Sequence, residues 1–363
     1  MSISCRQLFW MITSMQVVMA ILLTSSATVR ISGQDAWISA MITVLLGIVT
    51  VFINVKLSLM YPEKTFIDFV RIMLGPWLGG GMVLLYLLYW FVVYVAILRQ
   101  FTTFMIGTIL PETPVSIIIM LMASVVLYST LSGLSVIGRM SEFLGPVIIA
   151  GIFLPILLSF NNLNAERLLP VLKDHNGFTL LQGSLMGAPF LGDCFLVIML
   201  ISFVSKREFV MKHGIGGVLL AGAGFVVSIV ATLMVFGPNV TQSFPYPLLM
   251  LVRSISVAGI IESLDAIVVA IWIMSIFLKL SIYLFAVSYG TAQWTGTGKW
   301  RTYAVVFTIL GLPLALLPRN YIEVSVFFPI KVAVPYIFPI IMVGIPLLLW
   351  ITALVQRNIR VQG

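Results

Sequence analysis

Long apolar runs, each near the length that crosses a hydrocarbon layer, follow one another from end to end of the sequence. A helix needs about 20 mostly apolar residues to span a bilayer, and lipid admits only helices or closed barrels, because every backbone N–H and C=O must find its partner inside the protein. The runs lack the period-two alternation of barrel strands, so the chain is expected to be an all-α, polytopic membrane protein. Spans are read near residues 8–29, 36–58, 79–109, 115–131, 141–160, 181–204, 214–236, 263–289, 302–318 and 333–355, which makes about ten.

Composition narrows the function classes. Of 363 residues, 61% are apolar and 9% charged, against about 25% charged in a soluble domain. A soluble enzyme and a disordered chain are excluded. The formal charge of +8 does not read as a nucleic-acid footprint, since the basic residues stand singly between apolar runs; no nucleic-acid partner is expected. Cys5 and Cys194 give no disulfide framework. His175 and His213 fall in different connections without ligand-like spacing, so no metal and no cofactor are expected. No Ser/His or paired-acid constellation converges at one depth, which leaves an intramembrane enzyme without support.

The basic residues report topology instead. With the N-terminus in the cytoplasm, the inner side receives Arg6, Lys56, Lys64, Arg71, Arg139, Lys206, Arg207, Lys212, Lys299, Arg301, Arg357 and Arg360, and the outer side Arg30, Arg167, Lys173, Arg253, Arg319 and Lys331. Arg99 and Lys279 remain inside spans. That bias predicts an even number of spans with both termini cytoplasmic. Arg6, the run Leu8 to Leu23 and Ser25-Ser26-Ala27 also resemble a cleaved signal peptide. Removing the first span would leave an odd number and spoil the charge pattern, so it is kept as a span. The triplet Asn239-Val240-Thr241 is taken as a chance match to a glycosylation acceptor.

The sixth span begins near residue 181, close to the midpoint of the chain. Five spans followed by five suggest a single domain, residues 1–363, with inverted repeats at about 8–160 and 181–355, in which the first helix of each half is interrupted at mid-membrane. In the sixth span, Gln182-Gly183-Ser184-Leu185-Met186-Gly187-Ala188-Pro189-Phe190-Leu191-Gly192-Asp193 concentrates glycines, a proline and an acid. An opening around Gly187 to Pro189 is expected, freeing carbonyls and amides as ligands. A proline kink with tight small-residue packing is the alternative. The first span has no glycine or proline before Gly33, but Gln16, Ala20 and Thr24 form a small and polar stripe at four-residue spacing that faces protein or a cavity.

Four segments carry a family resemblance: Ile3-Ser4-Cys5-Arg6-Gln7-Leu8-Phe9-Trp10; Gly33-Gln34-Asp35-Ala36-Trp37; Phe190-Leu191-Gly192-Asp193; and, most specific, Glu262-Ser263-Leu264-Asp265-Ala266-Ile267 followed by Trp272 and Phe277-Leu278-Lys279-Leu280-Ser281. Together they resemble the B subunits of spore germinant receptors, permease-like proteins of endospore-forming bacteria. The resemblance implies the amino acid/polyamine/organocation transporter fold, a LeuT-like bundle of ten helices in two inverted halves with helices 1 and 6 interrupted. It also implies a germinant-sensing subunit of the spore inner membrane that works beside A-type and C-type subunits and binds a small nutrient, typically an amino acid. The chain departs from the family pattern in having Val17 after Gln16 where glycine is common, and Asp193 where glutamate is common.

On that basis the substrate-binding candidates are Gln16, Ala20, Thr24, Tyr94, Met186, Gly187, Pro189 and Ser275. A bound amino acid would place its carboxylate on half-helix amides and its ammonium on opened carbonyls. Charges at membrane depth are costly and draw attention to Asp193, Lys279 and Glu142 as ion- or proton-coupling groups or as structural charges. Lys279 falls about 16 residues into the eighth span, near mid-membrane, with Asp193 or Glu142 as its partner. One hypothesis has its ammonium standing where related transporters bind sodium; simple pairing that holds the bundle explains it equally. Arg99 is read as snorkelling to the outer interface. Tyr86, Trp90 and Tyr94 form an aromatic stripe, with Tyr89 one turn off; the third helix lines the site in this fold, which favours Tyr94. The outer connection from Gly237 to Glu262 is read as a surface segment, a partner dock or a lid. A stand-alone amino-acid transporter, proton-coupled through Asp193, is the alternative to a receptor subunit.

Overall fold

The computed structural model describes residues 1–255, 264–318, 320 and 322–362, so Glu262, Ser263 and Arg319 lie outside the described residues. Helix α1, Cys5–Ser32, starts at a capping box in which the Ser4 side chain accepts from the Gln7 N–H and the Gln7 side chain accepts from the Ser4 N–H. After a turn at Gly33 come α2, Ala36–Leu59; α3, Phe66–Thr108; α4, Val115–Ser132; and α5, Leu134–Leu158. The second half holds α6, Gly177–Leu191; a single turn α7, Val197–Leu200; α8, Val210–Thr241; the short α9, Pro247–Arg253; α10, Leu264–Trp294; α11, Trp300–Leu316; and α12, Ile345–Gln362. Eight helical stretches among the described residues are long and apolar enough to cross a membrane. The first, Cys5–Leu59, reverses at Gly33, and the shorter Trp300–Leu316 adds one more passage, which accounts for the spans read from the apolar runs.

Two long helices bend at the same dipeptide. Gly75 in α3 (φ 78°) and Gly237 in α8 (φ 73°) each precede a proline, Pro76 and Pro238. The residue before proline is disfavoured in the α region, and a positive φ is open to glycine without steric cost, so the chain turns there.

Contacts set the helix directions. Ser39 Oγ donates to Leu180 O (2.9 Å) and Thr43 Oγ1 to Ser184 O (2.8 Å), which makes α2 and α6 parallel. Gln16 Nε2 donates to Leu191 O while Ser32 lies against Gly183, so α1 and α6 are antiparallel. Gly222 faces Val44 and Gly214 faces Val51, which sets α8 against α2. Gly80 faces Trp294 and Leu87 meets Gly290, which sets α10 antiparallel to the part of α3 beyond its bend. The first three spans of the second half thus run opposite to their counterparts in the first, as inversion requires.

Two expectations about interruption are corrected. The first span is unbroken from Cys5 to Ser32: Thr24 and Ser25 bond back to the carbonyls of Ala20 (2.7 Å) and Ile21 (2.7 Å), an arrangement that polar residues adopt within a helix. The sixth span does not open at Gly187 to Pro189, because α6 is helical through Leu191. Its glycines serve close approach. A Cβ at Gly187 would come within 2.9 Å of Thr43 Cγ2, and Gly183, one turn earlier, faces Ser32 and Ser39, the small-residue packing that lets membrane helices touch. The change comes later, where Gly192–Leu196 tightens to a 3₁₀ helix that carries Asp193.

The tenth span holds the largest irregularity. Ile322–Phe327 and Pro329–Gly344 are π-helical, and the Ile345 N–H donates to Ile340 O five residues back. In that pattern carbonyl i expects the N–H of i+5. Val324 and Ile341 lack one, because Pro329 and Pro346 stand five residues on. Side chains of α3 supply both donors: Gln100 Nε2 reaches Val324 O at 3.0 Å and Tyr86 OH reaches Ile341 O at 2.7 Å. Asn54 of α2 adds a bond to Met342 O at 3.2 Å.

Both termini share one face. Ile3 pairs through its backbone with Phe203 and Ser205, and Gln356 donates to Met73 O. On the distal face, the Asp35 carboxylate clamps the α1–α2 turn to the connection before α6, accepting from Leu172 N–H at 3.0 Å beside His175 Nδ1 at 3.0 Å.

A carbonyl in hydrocarbon that loses its donor costs on the order of 1 kcal/mol. Tyr86→Phe and Gln100→Leu are therefore expected to lower unfolding free energy in detergent titrations by about that much each. Unchanged stability in both would mean that the prolines leave nothing to satisfy.

Candidate functional site

The helices bring one charge pair to the centre of the bundle. Lys279 of α10 donates to Asp193 Oδ2, and Tyr283, one turn further along α10, donates to Asp193 Oδ1 at 2.5 Å. The two charged side chains are 1% and 6% exposed. Such a pair is tolerated because each carboxylate oxygen has a donor and the ammonium has a carboxylate; removing one partner alone leaves an uncompensated charge. The ammonium also lies 5.7 Å from the centre of the Phe190 ring, an attraction between cation and ring quadrupole. Tyr89 of α3 lines the same cavity as Asp193 and Lys279 and packs its ring on Phe195 of the 3₁₀ turn at 5.6 Å between centroids, so α3 adjoins the network that joins α10 to the turn after α6.

A cavity of about 40 Å³ adjoins this network, walled by Tyr89, Ile97 and Gln100 of α3, Pro189 of α6, and Pro329 and Ile337 of the tenth span. It has room for water but not for an amino acid. Among the described residues no group of three His, Cys, Asp or Glu side chains is placed to hold a metal ion.

The anticipated site residues divide by what they touch. Pro189, Asp193 and Lys279 border the central cavity. Met186 lines a separate hollow of about 140 Å³ toward the distal face. Gln16 fastens α1 to the last carbonyl of α6, and Ser275 Oγ fastens α10 to Ser14 O at 2.5 Å. Ala20 and Thr24 bond to each other within α1, and Gly187 packs on Thr43, away from the cavity. Tyr94 turns toward the ninth span, where a Cβ at Gly311 would lie 3.1 Å from its ring. Glu142 is not a partner of Lys279. It pairs with Arg6 at 2.9 Å, because α5 runs beside the start of α1, with Gly138 against Gln7 and Gly145 against Trp10.

Tyr89, Gln100 and Tyr283 were not singled out as site residues. A signal was available: Tyr89, Val93, Ala96 and Gln100 repeat at three- and four-residue spacing, as do Lys279 and Tyr283. The competing stripe through Tyr94 outweighed it, and only the position of α11 shows that Tyr94 faces elsewhere.

Comparison with known proteins follows the same lines. The model of a family described as spore germination protein matches residues 2–324. Spore germination protein KB of Bacillus subtilis (strain 168) is 27% identical over 298 residues, covering 80% of this chain and 78% of that protein. Spore germination protein YndE of the same strain is 26% identical over 312 residues, covering 84% of each. Among solved structures, MhsT in complex with L-phenylalanine superposes with a TM-score of 0.64 at 14% identity, covering 99% of this chain and 93% of that one. That likeness gives the fold, a LeuT-type transporter bundle.

Lys279→Met and Asp193→Leu are each expected to destabilise the protein by about 3–5 kcal/mol, and the double variant by clearly less than the sum, since a buried pair replaced on both sides leaves no lone charge. Thermal or detergent unfolding of the four proteins measures this. Additive losses would show that the two charges are not coupled.

Proposed function

The chain belongs to the spore germination protein family, and from that premise we propose that it is the ligand-sensing membrane subunit of a germinant receptor. It is a multi-pass membrane protein with a transporter fold and is not an enzyme. The proposed ligand is a small nutrient, an amino acid, bound at mid-membrane between α3, α6, α10 and the tenth span. The proposed setting is the spore inner membrane, with both termini cytoplasmic and A-type and C-type subunits alongside.

What carries the reading is the Lys279–Asp193–Tyr283 network beside a narrow cavity of about 40 Å³. The cation there belongs to the protein, so holding α10 to the sixth span requires no ion from solution. A ligand larger than water enters only if the walls part, and a ligand shifts a conformational equilibrium only by binding one state better than the other. The movable wall is the tenth span, whose π-helical backbone leans on side-chain donors from α2 and α3. Ligand binding is thereby tied to displacement of an element that reaches the terminal face, where partner subunits would read it.

The transporter fold favours a second reading, a stand-alone amino-acid transporter proton-coupled through Asp193. The two differ in output. Purified protein in liposomes is expected to bind a radiolabelled amino acid drawn from those that germinate spores of the source bacterium, without accumulating it inside. Accumulation would overturn the receptor reading in favour of transport; absence of binding across the panel would overturn the amino-acid ligand.

A further inference from the structure

The hollow of about 140 Å³ beside Met186 differs in chemistry from the central cavity. Its walls are the last turns of α1, the segment after the α8 kink, and the start of the tenth span. Arg30 is the single ionisable residue among the described residues of its lining, accompanied by the hydroxyls of Ser26, Ser243 and Ser325. Ser26 and Arg30 stand four residues apart on one face of α1. Arg30 is only loosely engaged, with a 3.4 Å bond from Nη2 to Gln242 O, so most of its N–H donors are uncommitted. Ser325 is 4% exposed, yet its Oγ has no hydrogen-bond partner among the described residues. Glu323, two residues earlier, is not among the described residues that line this hollow. Pro329 walls both this hollow and the central cavity, so the two are neighbours, with this one on the distal side.

A guanidinium with hydroxyl donors and no carboxylate among the described lining residues favours an anion with two acceptor oxygens and repels a cation. At about 140 Å³ the hollow has space for a molecule of several heavy atoms, where the central cavity holds water alone. We propose that this hollow is a carboxylate-docking site on the approach to the central cavity. Arg30 pairs with the carboxylate of the incoming ligand, and Ser26 and Ser325 donate to its oxygens. That the carboxylate is an amino acid's rests on the function proposed above; the preference for a carboxylate does not.

The test uses Ser26→Cys in the full-length protein in liposomes, with the unsubstituted protein reporting any reaction of the buried Cys5 and Cys194. Methanethiosulfonates bearing a sulfonate or a trimethylammonium tail are compared with their rates on a free thiol. The sulfonate reagent is expected to gain about tenfold over the trimethylammonium one, the scale of electrostatic focusing in a charged cleft. Arg30→Gln is expected to abolish the gain and Arg30→Lys, which also controls for folding, to keep it. Sodium propionate should slow the modification and propionamide should not. Equal rates for the two tails, a gain that survives Arg30→Gln, or equal protection by propionate and propionamide would each overturn the proposal. If amino acids prove not to bind the chain but the charge preference and propionate protection hold, the docking site stands and only the proposed ligand falls.

Discussion

Lipid offers no hydrogen bonds, and the whole architecture answers to that constraint. At several points where the helices depart from regular α geometry, a buried side chain from a neighbour supplies a donor. Gln16 meets the last carbonyl of α6, Gln100 and Tyr86 meet two of the carbonyls that prolines orphan in the tenth span, and Asn54 meets Met342 O. These bonds are individually modest, yet they decide which helices may be irregular and where. The irregular segments, the 3₁₀ turn at Gly192–Leu196 and the π-helical Pro329–Gly344, lie against each other around the central cavity. Irregular backbone at membrane depth is tolerated where protein or a cavity covers it, which is the situation here.

The Lys279–Asp193 pair obeys the same rule in its charged form. Each oxygen of the carboxylate has a donor, one from Lys279 and one from Tyr283. A buried pair of this kind adds little net stability compared with apolar packing, and its value lies in specifying a unique arrangement. Here it fixes α10 to the turn after α6, and Tyr89 of α3 packs on Phe195 of that turn. The bonds that α2 and α3 make to the backbone of the tenth span come from neutral side chains, Asn54, Tyr86 and Gln100. Two hollows of different character meet at Pro329, one cationic and hydroxyl-lined, one bordered by an internally neutralised ion pair.

Glycine usage shows how the same residue type serves two purposes in one chain. Gly75 and Gly237 bend the backbone before proline. Gly183, Gly187 and Gly192 leave the helix regular up to Leu191 and instead admit neighbours to within van der Waals contact: α2 at the first two, and Phe338 and Met342 at the third. From sequence the cluster around Pro189 looks like an unwound segment; the neighbours in space make it a packing surface. Gln16 was identifiable as a buried polar group requiring a partner, but that the partner is Leu191 O follows only from the crossing of α1 and α6.

Apolar run length and the placement of Lys and Arg, read along the chain alone, determined the class, the spans and the shared face of the two termini, because burial in lipid imposes a one-dimensional signal of about 20 residues. The same reading marked Asp193 and Lys279, since a charge at mid-membrane is conspicuous without coordinates. What only the tertiary structure decided is pairing. Lys279 takes Asp193, whereas Glu142 goes to Arg6. Tyr89 rather than Tyr94 borders the cavity, the sixth span turns irregular only after Leu191, and the tenth span, not the first, is π-helical. Those outcomes depend on which faces meet across the bundle, and helices of nearly uniform hydrophobicity carry no moment that points to their neighbours.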